Sequence, residues 1–380
     1  MCKISLCSYT YNDASLLHDL LRQIPAWERQ PDEIILVDDG SDVPFELSSD
    51  EKTLPAILIR QAKNMGFTTT KHFCMNAATG DIIVSLDCDV HLEGDFLGNA
   101  CRILQDQSIG LVGPSDAGLD NTDLLSAYLT VLGNENFIKQ TDDVTFINGP
   151  ALAIRRELWE KIGGYSGHPL AKGSDQYLSH LLRQKGYKLV IDSGSNLKIS
   201  RTISRHAFCR RDWAWCRNSW LHEMTPNTTL PDYARLMLLQ TRARCAAIVA
   251  KYNPAWTYFE LLHLVYIYME FCNALGPQGM LPVTAGKDLL ELVQNKLAGY
   301  PALLRLLRAD LLRTGALPLH EPVPPLAENT STLANKCEWT LLSGLLEEFS
   351  ATLLLEYLDK HGVQEILNDE ASTSTDFSSY

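Results

Sequence analysis

The sequence Ile82-Ile83-Val84-Ser85-Leu86-Asp87-Cys88-Asp89 joins a short apolar run to two carboxylates that stand one residue apart. Such a run predicts a buried strand. Because side chains alternate between the two faces of a strand, both acids can bind one ion only where the strand ends. The stretch therefore predicts a strand end that holds a hard divalent cation, Mn²⁺ or Mg²⁺, and a solvated turn is the alternative.

Two other apolar runs, residues 3–7 and 34–37, are also followed directly by polar clusters. Between them leucines recur at helical spacing, and Asn12 or Asp13 is placed to cap the start of that helix. This order predicts β-α-β units. Because open parallel sheets bind ligands at the carboxyl ends of their strands, we expect a nucleotide site at this edge.

Composition limits the classes of protein. The 380 residues are enough for one large α/β domain and a second module. A net charge of -13 argues against a nucleic-acid partner, whose binding surface is basic. The ten cysteines lack paired spacing and no apolar leader follows Met1, so we expect reduced thiols and a cytoplasmic protein.

No apolar run has the length of a transmembrane span. The nearest, residues 261–275, is too short and contains His263, Glu270 and Asn273. We expect a buried core helix there. Peripheral membrane contact at a lipid-linked substrate is the alternative, although no basic flank favours it.

A series of short segments recurs in one known order. They are Thr10-Tyr11-Asn12, Val37-Asp38-Asp39-Gly40-Ser41, Asn64-Met65-Gly66, Ala78-Thr79-Gly80-Asp81, Leu86-Asp87-Cys88-Asp89, Asn148-Gly149-Pro150, Ile162-Gly163-Gly164-Tyr165, Ser174-Asp175 and Arg217-Asn218. In this set and spacing the chain resembles the family 2 glycosyltransferases of the GT-A fold. The resemblance implies an α/β domain with a Rossmann-like, mixed but mainly parallel sheet, and an inverting enzyme that uses a nucleotide-sugar donor.

We assign the catalytic domain to residues 1–225 and an all-α region to residues 232–368, with a Pro-bracketed boundary between them. Residues 369–380 are rich in Ser and Thr, so we expect a disordered tail. The helices of the second region are expected at residues 235–252, 256–275, 287–315 and 336–368, with a linker at 317–331. This region would be a lid, an acceptor platform or a surface for homo-oligomers.

The resemblance implies a donor site around Asp39, which would bind the base or ribose of a UDP- or dTDP-linked sugar. Tyr11 would stack on the base, and Thr10 is a weaker candidate. The alternative role for Asp39 is turn capping, which Asp38 or Asp42 could equally supply. An ordinary packed tyrosine is the alternative for Tyr11.

Lys71-His72 stands where the family usually has Arg-Asn. Lys71 would keep a positive charge near the diphosphate but lacks the planar fork of arginine. A solvated helix position is the alternative for Lys71. Arg211, in a segment rich in Arg and Trp, would also bind the diphosphate, or this segment would form a seam between domains.

For the metal, the resemblance implies Asp89 as a direct ligand, with Asp87 reaching the ribose or the metal through water. His206 would be the third ligand, and an ordinary structural histidine is the alternative.

Asp175 is the implied general base, which deprotonates the acceptor hydroxyl as it attacks the anomeric carbon. The usual Glu-Asp pair of the family is here Ser174-Asp175, and helix capping is the alternative role. Asn148 and Gly149 would shape the acceptor side of the sugar pocket.

The Gln-x-x-Arg-Trp motif of processive synthases is absent from the sequence, so we expect a non-processive enzyme. It would transfer one sugar to a hydroxyl of a glycan, a lipid-linked acceptor or a protein. Two alternatives remain: a sugar-phosphate nucleotidyltransferase, which would need a Gly-rich N-terminal phosphate loop, and a non-catalytic scaffold that acts through its helical half.

Overall fold

The computed structural model of the chain describes residues 2–119, 123–137, 144–166, 173–221, 230–275, 284–315, 344, 347–348 and 353–373. The chain divides into two compact units. The first comprises Met1–Thr122 and Ser126–Thr202, and the second comprises Asp123–Leu125 and Ile203–Tyr380. The division at residue 202 comes earlier than the boundary at residue 225 expected from the sequence.

The first unit contains a sheet of eight strands among the described residues. They are β1 (Ile4–Thr10), β2 (Glu33–Asp38), β3 (Ala56–Arg60), β4 (Ile82–Leu86), β5 (Val90–Glu93), β6 (Ile109–Leu119), β7 (Ala151–Arg155) and β8 (Lys188–Ile199). Their order is β3-β2-β1-β4-β7-β6-β8-β5. The pairs of β1 with β2, β1 with β4, β2 with β3, and β6 with β8 are parallel. Strand β7 is antiparallel to both of its neighbours, and β5 is antiparallel to β8. The predicted mixed, mainly parallel sheet is confirmed.

Helices accompany this sheet in the first unit: α1 (Ala14–Gln23), α2 (Phe67–Asn76), α3 (Phe96–Ile103), α4 (Leu124–Phe137), α5 (Arg156–Ile162) and α6 (Ser174–Gln184). The first two residues of α4 are assigned to the second unit. Every residue of β1 and β4 is buried. Alternate residues of β1 enter two separate apolar clusters, Leu6 with Leu17 in one and Cys7 with Leu178 in the other. Burial on both faces explains why these strands are continuous apolar runs.

The start of α1 differs from the prediction. Asp13 is the N-cap residue, but no side chain makes a capping hydrogen bond there. The Asp13 carboxylate instead accepts a hydrogen bond from Arg201. The long-range ion pair replaces the local cap.

The second unit is helical, as predicted. Its helices are α7 (Arg205–Leu221), α8 (Leu230–Lys251), α9 (Thr257–Leu275), α10 (Ala285–Lys296), α11 (Pro301–Thr314) and α12 (Val363–Thr373), the last preceded by a helical turn Leu355–Tyr357 and a π-helical turn Leu358–Gly362. Helix α9 is buried along almost its whole length, as expected for a core helix. In the described part of the chain, no helix combines the length and apolarity needed to cross a bilayer.

Two predicted boundaries in this unit are wrong. The single helix expected at 287–315 is two helices, because Pro301 has no N–H to donate and restricts the backbone of the residue before it. Pro301 is therefore the first residue of α11, a position that suits proline. Helix α12 extends to Thr373, inside the tail expected to be disordered. Residues 374–380 and the expected linker at 317–331 lie outside the described residues.

The turn after β2 requires a glycine. Gly40 has φ +76°, and a Cβ on it would lie 2.5 Å from the carbonyl carbon of Lys63. Gly186 has a similar φ of +84°, but no atom would lie within 4 Å of its Cβ. The two glycines therefore share the left-handed backbone and differ in the space around it.

We predict that Gly40→Ala destabilises the first unit more than Gly186→Ala does. Both substitutions carry the left-handed penalty of about 1–2 kcal/mol. Only Gly40→Ala also forces a methyl group against backbone, which adds about 1–3 kcal/mol. Thermal unfolding of the two variants followed by circular dichroism measures the difference, and equal melting temperatures would contradict the argument.

Candidate active site

The carboxyl ends of β1, β2 and β4 lie side by side along one edge of the sheet. Thr10, the last residue of β1, is in register with Asp38, the last residue of β2. On the other side of β1, Cys7 is in register with Ser85, so β4 ends next to β1 and continues into Asp87. Antiparallel β7, the other neighbour of β4, begins at this same edge.

Asp87 is held from three directions. Its backbone N–H donates to the carbonyl of Pro150 at 2.8 Å. Its Oδ1 accepts a hydrogen bond from the hydroxyl of Tyr9 on β1. The same oxygen is 3.5 Å from Nζ of Lys71 on α2. The carboxylate is therefore fixed by β1, α2 and the turn before β7.

Lys71 is completely buried, with 0% exposure. Its Nζ donates to the carbonyl of Gly149 at 2.6 Å and lies 5.5 Å from the ring centre of Phe67. Because an unpaired buried charge is costly, the contacts with Gly149 and Asp87 stabilise the ammonium group in this position. The alternative that Lys71 is a solvated helix residue is excluded.

Asp175, near the start of α6, is also buried. Its Oδ2 accepts from the backbone N–H of Gly149 at 3.1 Å, and its Oδ1 accepts from the N–H of Gln176 at 2.9 Å. Burial raises the pKa of Asp175, and these hydrogen bonds and the charge of Lys71 offset only part of that rise. A raised pKa makes this carboxylate a stronger proton acceptor than an exposed aspartate.

Gly149 joins the two carboxylates. Its carbonyl accepts from Lys71, and its N–H donates to Asp175. A Cβ on Gly149 would lie 2.9 Å from Oδ2 of Asp175, so a larger residue would displace that carboxylate. Asn148, the residue before it, is half-buried. Ser174 does not cap α6, because the N-cap residue is Gly173 and no side chain makes a capping bond.

Asp89 makes an ion pair with Arg201. The Nε of Arg201 donates to Oδ2 of Asp89 at 2.8 Å, and its second terminal nitrogen donates to Asp13 at 2.7 Å. Burial, together with the negative charge of Asp87, raises the pKa of Asp89, and Arg201 offsets part of this rise. The two acids of the Asp-Cys-Asp stretch are therefore close enough to repel each other.

These two carboxylates fit a hard divalent cation. Mg²⁺ and similar ions bind through one or two carboxylates and complete their shell with water and substrate phosphate. A cation between Asp87 and Asp89 would also relieve their mutual repulsion. Within the described ranges, no cluster of three or more His, Cys, Asp or Glu side chains has the arrangement of a metal site.

His206 and Arg211, two residues expected in the donor site, belong to the second unit. There, Nε2 of His206 is 3.5 Å from Oδ1 of the buried Asp310. Asp310 also accepts hydrogen bonds from Arg205 and Tyr258. The side chain of Arg211 is 43% exposed on the same helix as His206. Their roles in metal and diphosphate binding remain predictions.

The residues expected around the nucleotide differ in their surroundings. Thr10 is buried, and its Oγ1 has no hydrogen-bond partner among the described residues. Tyr11 is 42% exposed, so its ring is accessible to a ligand. Asp39 accepts from the backbone N–H groups of Met65 and Gly66, at 2.8 and 3.1 Å. It therefore joins the end of β2 to the loop before α2.

Asp38 has the structural role that was left open between neighbouring acids. Its carboxylate accepts from the backbone N–H groups of Ser41 and Phe45 and pairs with Arg60. Burial alone would raise the pKa of Asp38. The hydrogen bonds from Ser41 and Phe45 and the charge of Arg60 outweigh burial and hold the pKa below its usual range. Asp38 therefore closes the turn, whereas Asp39, which is also buried, is bound to the loop before α2.

Three residues of the site were missed by sequence analysis. Tyr9 binds Asp87, and Arg201 binds Asp89. Tyr165 lies near both Asp87 and Asp175. Burial raises the pKa of its hydroxyl, and the negative charges of these two acids raise it further. A hydrogen bond with the side chain of Ser174 offsets part of this rise. The contact of Tyr9 depends on the register of β1 with β4, and that of Arg201 joins distant parts of the chain, so neither has a local signal in the sequence.

A protein-family model and one characterised protein are similar to parts of this chain. The family model described as glycosyl transferase family 2 matches residues 5–163. The O-antigen chain rhamnosyltransferase RfbN of Salmonella typhimurium is 25% identical over 199 residues, which are 49% of this chain and 63% of that protein. The chain thus covers less than two thirds of the length of this relative.

Two solved structures are also similar. The mannosyltransferase PcManGT from Pyrobaculum calidifontis, in complex with GDP-Man and Mn²⁺, has 17% identity and a TM-score of 0.41 over 93% of this chain and 88% of that chain. TarS 1-349 of S. aureus has 16% identity and a TM-score of 0.44 over 83% of this chain and 89% of that chain.

The family match covers the three strand ends described above, so residues 5–163 are similar to the family 2 glycosyltransferases. The mixed, mainly parallel sheet agrees with the predicted GT-A fold. The predicted resemblance to this family is confirmed over residues 5–163.

We predict that Asp38→Asn lowers the free energy of unfolding by about 1.5–3 kcal/mol at neutral pH, the range for hydrogen bonds to a charged group. The pKa of Asp38 is lowered by folding, so its stabilisation is complete above the unfolded pKa of about 3.9 and is lost as pH falls through the folded pKa. Wild type and variant should therefore converge in stability at acid pH.

Thermal unfolding at a series of pH values tests this expectation. Asp19→Asn is the matched control, because Asp19 forms an exposed pair with Arg22 that contributes less than about 1 kcal/mol. If the stability difference between wild type and Asp38→Asn stayed the same at every pH, the charge of Asp38 would have no role in stability.

Proposed function

We propose that the protein is a metal-dependent, inverting, non-processive glycosyltransferase that moves one sugar from a nucleotide-diphosphate donor to an acceptor hydroxyl. The observation that carries the proposal is the buried connection from Asp87 through Lys71 and Gly149 to Asp175. It joins a carboxylate suited to the donor side with a carboxylate suited to proton transfer.

The donor side would be formed by the ends of β1, β2 and β4. Asp87 and Asp89 would hold Mn²⁺ or Mg²⁺, and the bound ion would neutralise the charge of the departing diphosphate. The accessible ring of Tyr11 supports stacking on the base, and the unpaired hydroxyl of Thr10 supports a hydrogen bond to the donor. Asp39, already bound to backbone, retains acceptor capacity for a ribose hydroxyl or an imide N–H.

Asp175 would be the general base. Its carboxylate, with a pKa raised by burial, would take the proton of the acceptor hydroxyl as that oxygen attacks the anomeric carbon. Gly149 would hold the carboxylate by its N–H and, with Asn148, border the sugar on the acceptor side. Attack from the face opposite the diphosphate inverts the anomeric configuration.

The identity of the substrates is also a proposal. The similarity to a protein named O-antigen chain rhamnosyltransferase favours a hexose or deoxyhexose donor and a glycan acceptor. We propose a UDP- or dTDP-linked donor, as the resemblance in the sequence implies. Lipid-linked and protein acceptors are further candidates. Eight cysteines of the described residues are free thiols, which supports a reducing compartment such as the cytoplasm.

The experiment that tests the proposal is a thermal-shift screen of nucleotide sugars with and without Mn²⁺. A ligand that binds the native state raises the melting temperature by mass action. We expect a UDP- or dTDP-sugar to stabilise the protein more with Mn²⁺ than without. A non-catalytic scaffold would show no stabilisation by any nucleotide sugar under either condition.

We predict that Asp175→Asn abolishes sugar transfer and leaves Mn²⁺-dependent UDP affinity within about twofold of wild type. Asparagine retains the shape of the side chain and its capacity to accept a hydrogen bond from Gly149, but it cannot accept the proton. Loss of the base should lower the rate by at least about 10²–10⁴-fold.

Product formation and UDP binding by calorimetry measure the two effects. Asp19→Asn, an exposed carboxylate outside the site, is the control and should retain full transfer. If Asp175→Asn lost transfer and UDP affinity equally, Asp175 would be a donor ligand and its assignment as base would be wrong.

A further inference from the structure

Arg201 contacts the acid that is expected to bind the metal. Its Nε donates to Oδ2 of Asp89 at 2.8 Å, and its second terminal nitrogen donates to Asp13 at 2.7 Å. The neighbouring backbone is fixed as well, since the N–H of Ser200 donates to the carbonyl of Asp89 at 2.8 Å. A single guanidinium therefore bridges two carboxylates beside the sheet edge.

Two different cations neutralise the two acids of the Asp-Cys-Asp stretch. Lys71 lies beside Asp87, and Arg201 pairs with Asp89. The side chains of Asp89 and Arg201 are 13% and 29% exposed, so this pair is only partly screened by water. A divalent cation on the same oxygen of Asp89 would meet the positive charge of Arg201 at contact distance, which is repulsive.

We propose that Arg201 is a positioning residue that competes with the divalent cation for Asp89 and gives up this carboxylate when the donor diphosphate binds. The inference rests on the proposed function, because it requires a metal-bound nucleotide diphosphate at this edge. The planar fork of an arginine suits two phosphate oxygens, so the diphosphate offers Arg201 a replacement partner.

Asp13 provides Arg201 with a second carboxylate partner during this exchange. Because Arg201 is bound to Asp13 as well as to Asp89, its guanidinium can leave Asp89 and still keep one carboxylate partner. The cost of freeing Asp89 is therefore lower than for an arginine with one partner. The cation alone cannot supply Arg201 with a new partner, whereas the diphosphate can.

This arrangement predicts that metal and nucleotide bind cooperatively. Mn²⁺ alone should bind weakly, because it must displace Arg201 from Asp89. UDP should strengthen Mn²⁺ binding, and by reciprocity Mn²⁺ should strengthen UDP binding by the same factor.

The test is a titration of Mn²⁺ followed by the electron paramagnetic resonance signal of the free ion, with and without UDP. In Arg201→Gln the competitor is removed, so we expect Mn²⁺ alone to bind about tenfold more tightly than to wild type. The factor by which UDP strengthens Mn²⁺ binding should fall by a similar amount.

Lys198→Gln is the matched control. Lys198 is on β8, three residues before Arg201, carries the same charge, and pairs with Glu93 rather than with Asp89. Its loss should change the affinity for Mn²⁺ less than about twofold, which separates competition at Asp89 from the general loss of one positive charge.

Arg201→Lys keeps the positive charge but cannot reach two carboxylates with one planar fork, so its affinity for Mn²⁺ alone should lie between those of wild type and Arg201→Gln. If circular dichroism shows that Arg201→Gln does not fold, Arg201→Lys replaces it as the test variant. An affinity for Mn²⁺ alone that is no tighter than wild type, in Arg201→Gln or in its folded substitute, overturns the inference.

The two proposals fail in different ways. If wild type binds no Mn²⁺ with either UDP or dTDP, the metal-dependent function is wrong and the inference falls with it. If wild type binds Mn²⁺ with UDP and Arg201→Gln gains no affinity for Mn²⁺ alone, only the inference on Arg201 is wrong.

Discussion

The buried ammonium group of Lys71 is the contact on which the arrangement of the site depends. Without it, Asp87 would lose an ion-pair partner, and Asp175 would lose the positive charge that offsets part of the rise of its pKa on burial. With it, Asp87 remains next to a positive charge and the backbone of Gly149 is drawn against both groups. Burial of the ammonium is in turn stable only because Gly149 and Asp87 surround it. The positions of the acids and of the lysine are therefore mutually dependent.

The second cation of the site, Arg201, differs from Lys71 in its burial and in its partners. Lys71 is fully buried and lies within one compact set of contacts, whereas Arg201 is partly exposed and shares its guanidinium between two acids. Separating a buried charge from its partner destabilises the protein by several kcal/mol. A partly solvated charge can exchange partners at a lower cost in free energy. One cation is therefore suited to hold the site in place and the other to respond to a ligand. Both act on acids that stand only one residue apart.

The helical unit has its own buried charge network. Asp310 accepts from Arg205 and Tyr258, and burial, which alone would raise its pKa, is outweighed by these contacts and by His206, so that the pKa is about 2. His206 was expected to bind the metal, yet its nearest described acid is Asp310 of its own unit. A histidine at a suitable distance along the chain has no feature in the sequence that separates a ligand from a member of such a network, because the partner lies about a hundred residues away.

Local patterns in the sequence were enough to determine three of the strands, their polar ends and the presence of a helical second region. They placed the boundary between the two regions near residue 225, whereas the structure divides after residue 202. These features depend on the periodicity of apolar residues, which is visible in residues that are close in the sequence. The separation of α10 from α11 could also have been inferred from Pro301, since its effect on the backbone is local. Tertiary structure alone determined that Lys71 is buried, that Tyr9 binds Asp87, and that Arg201 bridges Asp13 and Asp89. Each of these contacts joins elements far apart in the chain, and their pairing depends on strand order and register, which no local pattern specifies.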